Sequence, residues 1–259
     1  MSFHDPLEGT EIRDLRNSVS MEIIDVQWRG YRLPFLHSFS TAHSVMTARE
    51  GIIVQVTTRQ GITGIGEIAP LPAFGGGSLA DAATLLPALI ARLHHKSLHE
   101  ALDLLLTERK EATKAAPALC GLEIALLDVL GKVEGCGVCT LLSPAGSAPR
   151  ATVPVNAVVG ARATKAAVAI VRDARKSGFG CVKLKVGWGV SVREEVERVA
   201  AVRAAIGLAM HLRLDANEAW NLEEAIAVLS QCVPYDIQYV EQPLKAQDLA
   251  GMRTLRQVR

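Results

Sequence analysis

Neither charge is in excess in this chain: 28 Lys and Arg stand against 27 Asp and Glu, a formal +1 at pH 7. With no basic run or stripe, it has no electrostatic footprint for nucleic acid or an anionic membrane. Long apolar runs are missing as well. Apolar residues make up 49% of the 259, yet no uninterrupted run approaches the ~20 residues that span a bilayer. The first twenty residues lack the apolar core of a signal peptide, so a soluble cytoplasmic protein is expected. A disulfide framework is also lacking, because five scattered cysteines are an odd count in a mid-sized chain. Cys136-Gly137-Val138-Cys139 spells C-x-x-C, but no second ligand pair has zinc spacing, and the two read as incidental thiols in a loop. No Gly-Lys-Ser/Thr follows Gly75-Gly76-Gly77, and no Gly-x-Gly-x-x-Gly follows any candidate strand. Phosphate-loop and dinucleotide sites are thereby excluded.

A chain of this length forms one large or two moderate domains. Residues 1 to 20 are polar and aperiodic and read as a mobile tail. From Met21 the pattern is extended: Glu22 to Trp28, Arg29 to Pro34, Gly51 to Thr58 and Ile62 to Glu67 read as an antiparallel meander, with Arg59-Gln60-Gly61 as a turn. His37 to Arg49 and Pro70 to Ser78 have loop compositions. Helical spacing follows over Leu79 to His95 and Pro117 to Gly135. His94, His95 and His99 sit in polar context and read as a solvated face rather than a metal site.

The rhythm changes after residue 150. Strands are expected at Thr152 to Val159, Cys181 to Val186, His211 to Asp215 and Ile237 to Glu241. Helices are expected over Thr164 to Lys176, from Ser191 to Ala205, after Asn221 and from Asp248. Ser191 with Glu194, and Asn221 with Glu224, have capping-box spacing. Four alternations of strand and helix are the cadence of parallel βα units.

The chemistry-bearing residues fall at the ends of those strands. Strand side chains alternate between faces, so Lys183 and Lys185 share one face opposite Val182, Leu184 and Val186. Arg213, Asp215 and Asn217 likewise oppose Leu212 and Leu214. Taken singly, each has an ordinary reading: a solvated lysine pair, a capping aspartate and a surface glutamate, Glu241, before a proline. Together they match a βα barrel, where catalytic groups sit at the carboxyl ends of several strands. Two carboxylates on neighbouring strand ends make a hard oxygen site suited to Mg²⁺. Such a metal stabilises the enediolate left when a carboxylate substrate loses its α-proton. A lysine beside another cation is pushed toward its neutral form, which makes Lys185, next to Lys183, a candidate general base.

Lys183-Leu184-Lys185, Asp215-Ala216-Asn217 and Val240-Glu241-Gln242-Pro243-Leu244 resemble the muconate-lactonizing branch of the enolase superfamily, a class that pairs a Lys or His base with Mg²⁺. Within that branch, Arg49-Glu50-Gly51, Gly66 to Pro72 and Gly121-Leu122-Glu123-Ile124-Ala125 look most like o-succinylbenzoate synthases of menaquinone biosynthesis. The resemblance implies an α/β protein with an α+β capping domain over residues 21–150. The first four βα units of a TIM-type barrel, about half of it, would occupy residues 151–259. Loops His37 to Arg49 and Leu71 to Ser78 would close over a small-molecule carboxylate substrate. Lys185 would abstract the α-proton, Lys183 would tune it, Asp215 and Glu241 would ligate Mg²⁺, and Asn217 would support the site. The implied reaction is that of a carbon–oxygen lyase.

The resemblance also implies a third acidic ligand about 25 residues past Glu241 and a further lysine from a later strand. The sequence stops at Arg259 before either, so a truncated form of a protein of about 370 residues is expected, inactive by itself. Three rivals remain open: a dipeptide epimerase or N-acylamino acid racemase, a cycloisomerase of aromatic degradation, and a non-catalytic truncated homologue. A homo-oligomer is also left open.

Overall fold

The computed structural model describes residues 21–40, 45–72, 77–109, 114–144 and 146–257. The tail expected over 1–20 lies outside these residues, as do positions 41–44 and 73–76 of the two expected loops. The chain divides into two compact units, Met1–Pro34 with Ala48–Ala151 and Phe35–Thr47 with Thr152–Arg259.

A three-stranded sheet is ordered β1-β2-β3, from β1 (Ile23–Ser40), β2 (Val45–Thr58) and β3 (Thr63–Ile68); the first unit holds β3, β1 as far as Pro34 and β2 from Ala48. β2 and β3 are antiparallel, running from Ile52 opposite Ile68 to Thr57 opposite Thr63. Period-two burial explains β2: Ile52, Val54 and Val56 are enclosed while Ile53 is exposed. β1 is one strand where the sequence reads as two, and strand covers most of the expected His37 to Arg49 loop. Thr is a good strand former, and β1 lies at the sheet edge, where Pro34 is tolerated.

Helices α1 (Leu79–Leu93), α2 (Leu98–Arg109), α3 (Ala116–Val133) and the single turn α4 (Val138–Leu141) complete this unit. α2 was not expected, although its signals are present in the sequence. Leu98, Ala101, Leu102 and Leu105 are buried at helical spacing, and Ser97 with Glu100 forms the reciprocal hydrogen bonds of a capping box. The C-x-x-C segment leads into α4 rather than forming a plain loop, and both thiols are free. His95 Nδ1 lies 2.6 Å from a Glu22 carboxylate oxygen, so the histidine cluster is partly a hydrogen-bonding site rather than a solvated face alone.

β3 and α3 approach as closely as backbones allow, because glycines face each other. A Cβ on Gly66 would lie 1.9 Å from the Gly121 carbonyl oxygen, and one on Gly121 would lie 2.3 Å from Ile68 Cγ1. Nearby, the Arg49 guanidinium donates to the carbonyls of Ala69 and Pro70. The Tyr31 phenol donates to Glu67 and fills the space a side chain on Gly51 would need. The three stretches that resemble o-succinylbenzoate synthases are thus the packing joints of this unit.

The second unit alternates strand and helix: β4 (Ala157–Val159), α5 (Thr164–Lys176), β5 (Cys181–Lys185), α6 (Val192–Ile206), β6 (His211–Asp215), α7 (Leu222–Cys232), β7 (Ile237–Glu241) and α8 (Leu249–Leu255). The four strands are parallel and ordered β4-β5-β6-β7. They form about half of a βα barrel. The expected strand from Thr152 is shorter, pairing only at Ala157–Val159, since Pro154 brings no N–H to a ladder. The capping boxes at Ser191/Glu194 and Asn221/Glu224 are both formed. Val182, Leu184, Leu212 and Leu214 are fully enclosed against helix residues such as Val171 and Val199. Arg203 of α6 is a structural staple: its guanidinium donates to the carbonyls of Gly207, Met210, Tyr235 and Asp236, all at 2.8 Å.

Gly66→Ala would force β3 and α3 apart, and a loss of about 2 kcal/mol is expected from overpacking of this kind. The midpoint of urea unfolding measures it, and an unchanged midpoint would refute the close approach. Glu22 gives a second test. Hydrogen bonds from Arg59 and then His95 hold its carboxyl at about 2. Because the folded value is depressed, the pair's contribution is present above the ordinary Glu range and is lost as pH falls toward 2. In Arg59→Gln the Glu22 carboxyl should titrate closer to the ordinary ~4.3, as read by carbon NMR.

Candidate functional site

Register along the second unit's sheet decides which side chains meet. Lys183 is level with Arg213, and Lys185 with Asp215, across β5 and β6. Asp215 is level with Glu241 across β6 and β7. Lys185, Asp215 and Glu241 therefore form one rung at the carboxyl ends of three successive strands, with Lys183 one rung below.

The last pairing depends on an irregularity. Leu212 faces Ile237, but Arg213 faces Tyr239, so Gln238 is an extra residue on β7. In even register Asp215 would face Val240. The bulge shifts the strand by one residue, which in a strand exchanges the two faces. Ile237 and Val240, three apart, consequently both pack against the helix-side core. Arg213 fastens the bulge: its Nε donates to Gln238 Oε1 at 2.7 Å, and its guanidinium lies 4.9 Å from the centre of the Tyr239 ring. A further bond runs from Arg213 Nη1 to Asn156 Oδ1 at 3.1 Å.

Within the rung, Asp215 is the shared counter-charge. Its Oδ2 lies 2.6 Å from Lys185 Nζ and 3.2 Å from Lys183 Nζ. Lys183 Nζ also reaches Glu241 Oε2 at 3.1 Å, and Lys185 Nζ reaches Asn217 Oδ1 at 2.7 Å. Asp215, Asn217 and Lys185 are buried, with 1%, 4% and 7% of their surface exposed, while Glu241 is more open. Burial disfavours the Lys183 ammonium, but its hydrogen bonds to Glu241 and Asp215 outweigh that and hold it above the ordinary lysine range.

The backbone beyond the strands is tied edge to edge. The amide of Val186 donates to Asp215 O at 2.9 Å, Ala216 to Glu241 O at 3.1 Å, and Glu218 to Gln242 O at 2.7 Å. Asn217, Glu218 and Gln242 all have left-handed φ, at 47°, 64° and 42°. Such conformations carry strain and gather where the surrounding structure imposes a geometry. The Asn217 amide closes back on Asp215 Oδ1 at 3.1 Å, fixing that carboxylate from its second oxygen.

All five residues singled out in the sequence, Lys183, Lys185, Asp215, Asn217 and Glu241, come together here. Two groups of supporting residues were missed. Arg213 was read only as a member of a polar face, and its lock on the bulge has no sequence signature. Glu195 and Arg198 of α6 lie behind β5, each almost fully enclosed. Helix charges ordinarily face water, and nothing in their spacing marked these as inward. Among the described residues no group of three or more His, Cys, Asp or Glu is arranged for a metal. Asp215 and Glu241 are the pair of hard oxygen donors at the site. That set fits Mg²⁺, which characteristically takes one or two carboxylates and leaves other positions to substrate and water.

Known proteins share this arrangement of domains. The family model for the mandelate racemase / muconate lactonizing enzyme N-terminal domain matches residues 18–143, and that for an enolase C-terminal domain-like fold matches 166–259. The chain is 28% identical over 239 residues to a hydrophobic dipeptide epimerase of Enterococcus faecalis V583, covering 90% of this chain and 64% of that protein. Identity is also 28% over 243 residues to the L-Ala-D/L-Glu epimerase of Bacillus subtilis 168, covering 90% and 63%. The chain therefore spans a little under two thirds of the length of these relatives. The E. faecalis dipeptide epimerase, solved with Mg and L-Leu-L-Tyr, superposes with a TM-score of 0.84 at 26% identity, over 92% of this chain and 66% of that one. The substrate-liganded B. subtilis enzyme gives 0.84 at 27% over the same shares. These relatives are named for epimerisation, an isomerase activity, and not for the lyase activity that the first unit's motifs resemble. With both domains matched in order along one chain, the protein belongs to the enolase superfamily.

Proposed function

We propose that this chain carries the base-bearing half of an Mg²⁺-dependent epimerase or racemase site, which removes the α-proton of a carboxylate within a dipeptide or N-acylamino acid. The observation that carries the reading is the single rung of Lys185, Asp215 and Glu241, with the Lys185 ammonium fixed between Asp215 Oδ2 and Asn217 Oδ1. The relatives' named activities and the Mg and dipeptide in the E. faecalis structure support it.

Asp215 and Glu241 would hold the metal. When bound, Mg²⁺ supplies positive charge to a substrate carboxylate and to the enediolate that forms from it. Lys185 would take the proton, a reading supported by its place in the same rung as both carboxylates. Lys183 adds a second positive charge within reach of Asp215 and Glu241, which favours release of the proton from its neighbour. Asn217 orients Lys185 by accepting from its Nζ, and the burial of Asp215 and Lys185 keeps bulk water from that contact. Returning the proton to the opposite face of the α-carbon requires a second acid. The described residues contribute Lys185 to one face.

The o-succinylbenzoate synthase reading is less well supported. Its distinguishing stretches, around Arg49, Gly66 and Gly121, are accounted for by packing within the first unit and carry no information about a substrate.

The test uses protein expressed from its complete reading frame, incubated in D₂O with Mg²⁺ and a panel of dipeptides and N-acylamino acids. Loss of the Hα signal by NMR reports proton abstraction. Lys185→Ala should cut exchange by about a hundredfold or more while leaving Mg²⁺ binding by calorimetry unchanged. Retained exchange in that variant would end the assignment of the base. Asp215→Asn should weaken Mg²⁺ binding by about tenfold or more, and an unaltered affinity would remove Asp215 from the ligand set. A wild-type protein that folds yet neither binds Mg²⁺ nor exchanges Hα would favour a non-catalytic role.

A further inference from the structure

Lys185 is the last residue of β5, and its carbonyl lies where the sheet gives out. Toward β6 the ladder continues through the Val186 amide to Asp215 O at 2.9 Å. Toward β4 it does not, because that strand ends at Val159. Arg198 of α6 fills the gap. Its Nη1 donates to the Lys185 carbonyl at 2.6 Å and its Nη2 to the Ala161 carbonyl, so one planar fork bridges the ends of β4 and β5. The Trp188 indole adds a bond to the Lys185 carbonyl at 3.1 Å. One helical turn away, Glu195 Oε2 accepts from the Gly187 amide at 2.9 Å. Gly187 has φ +78°, and a Cβ there would lie 2.5 Å from that of Ala219, so the chain turns sharply under the grip of α6.

This clasp is an expensive way to hold a loop. Arg198 and Glu195 are 3% and 2% exposed, and they approach each other only to 3.6 Å. Glu195 Oε1 and Arg198 Nε have no hydrogen-bond partner. Replacing a buried pair by apolar residues of similar volume is often neutral or stabilising, so packing by itself does not explain two enclosed charges in imperfect contact. Their bonds to this chain's backbone all go to the two residues that bracket Val186 and to the neighbouring strand end. Arg203, on the same helix, makes its four carbonyl bonds ahead of the amino ends of β6 and β7, whereas the site residues lie at the carboxyl ends, and has no such focus.

We propose that Arg198 and Glu195 are positioning residues that set the backbone of Lys185, and through it the reach of its ammonium to Asp215. The inference rests on the reading of Lys185 as the base. A misplacement of about 1 Å at a reacting group costs on the order of a hundredfold in rate, and loss of an outer support typically costs tenfold to a hundredfold.

The experiment compares wild-type protein from its complete reading frame with Arg198→Met, Arg198→Lys, Glu195→Gln and Lys185→Ala. It follows Hα exchange with Mg²⁺ and hydrogen exchange of the Gly187 amide by NMR. Arg198→Met should lower kcat about tenfold to a hundredfold, with KM and Mg²⁺ affinity within about twofold. Arg198→Lys should recover part of kcat, because one donor can serve one of the two carbonyls. Glu195→Gln should speed exchange of the Gly187 amide and lower kcat in the same sense. If Arg198→Met does not fold, Arg198→Lys carries the test, with kcat below wild type at unchanged KM. Wild-type kcat in the folded Arg198 variants, beside an inactive Lys185→Ala, would overturn this inference and leave the base assignment standing. An active Lys185→Ala would overturn both.

Discussion

One carboxylate oxygen, Asp215 Oδ2, holds two lysines at once, and much of the second unit is arranged to permit it. Taking three charges out of water is costly unless each is compensated. Asp215 is almost fully enclosed, so its charge must be met by Lys185 and Lys183, by the Asn217 amide, or by a metal in their place. Lys185 in turn gains Asn217, and Lys183 gains Glu241. The cluster holds together because every polar head in it has a partner close by.

That cluster can form only if three strand ends present the same face at the same height. Between β5 and β6 regular parallel pairing achieves this. Between β6 and β7 it does not, and the additional residue at Gln238 makes up the difference. Because side chains alternate with a period of two, one residue decides whether the end of β7 offers a glutamate or a valine to the site. Arg213, bound to Gln238 and lying against Tyr239, stabilises the shifted register from below. A polar layer beneath the site, level with Lys183, thus acts on the geometry of the strand ends.

The first unit shows how short family motifs can be accounted for by packing. Gly66 and Gly121 are required by the contact of β3 with α3, and Arg49 donates to the carbonyls of Ala69 and Pro70. The motifs therefore report the fold, and the relatives set beside this chain above are named for epimerisation.

The sequence by itself determined the alternation of strand and helix after residue 150, both capping boxes there, and the face on which Lys183, Lys185 and Asp215 lie. These follow from local rules: period-two exposure, helical spacing and side-chain bonds to nearby amides. Helix α2 was equally legible through its Ser97/Glu100 cap and buried leucine spacing, but its charged residues masked the pattern. Tertiary structure alone decided the merging of β1, the shortness of β4, the shift at Gln238 and the inward turn of Glu195 and Arg198. Each depends on a partner distant in the chain: an open sheet edge, a missing ladder neighbour, a guanidinium on the adjacent strand, a carbonyl at a strand end. No local signal encodes such a partner, since the free energy that selects it exists only once the strands are side by side.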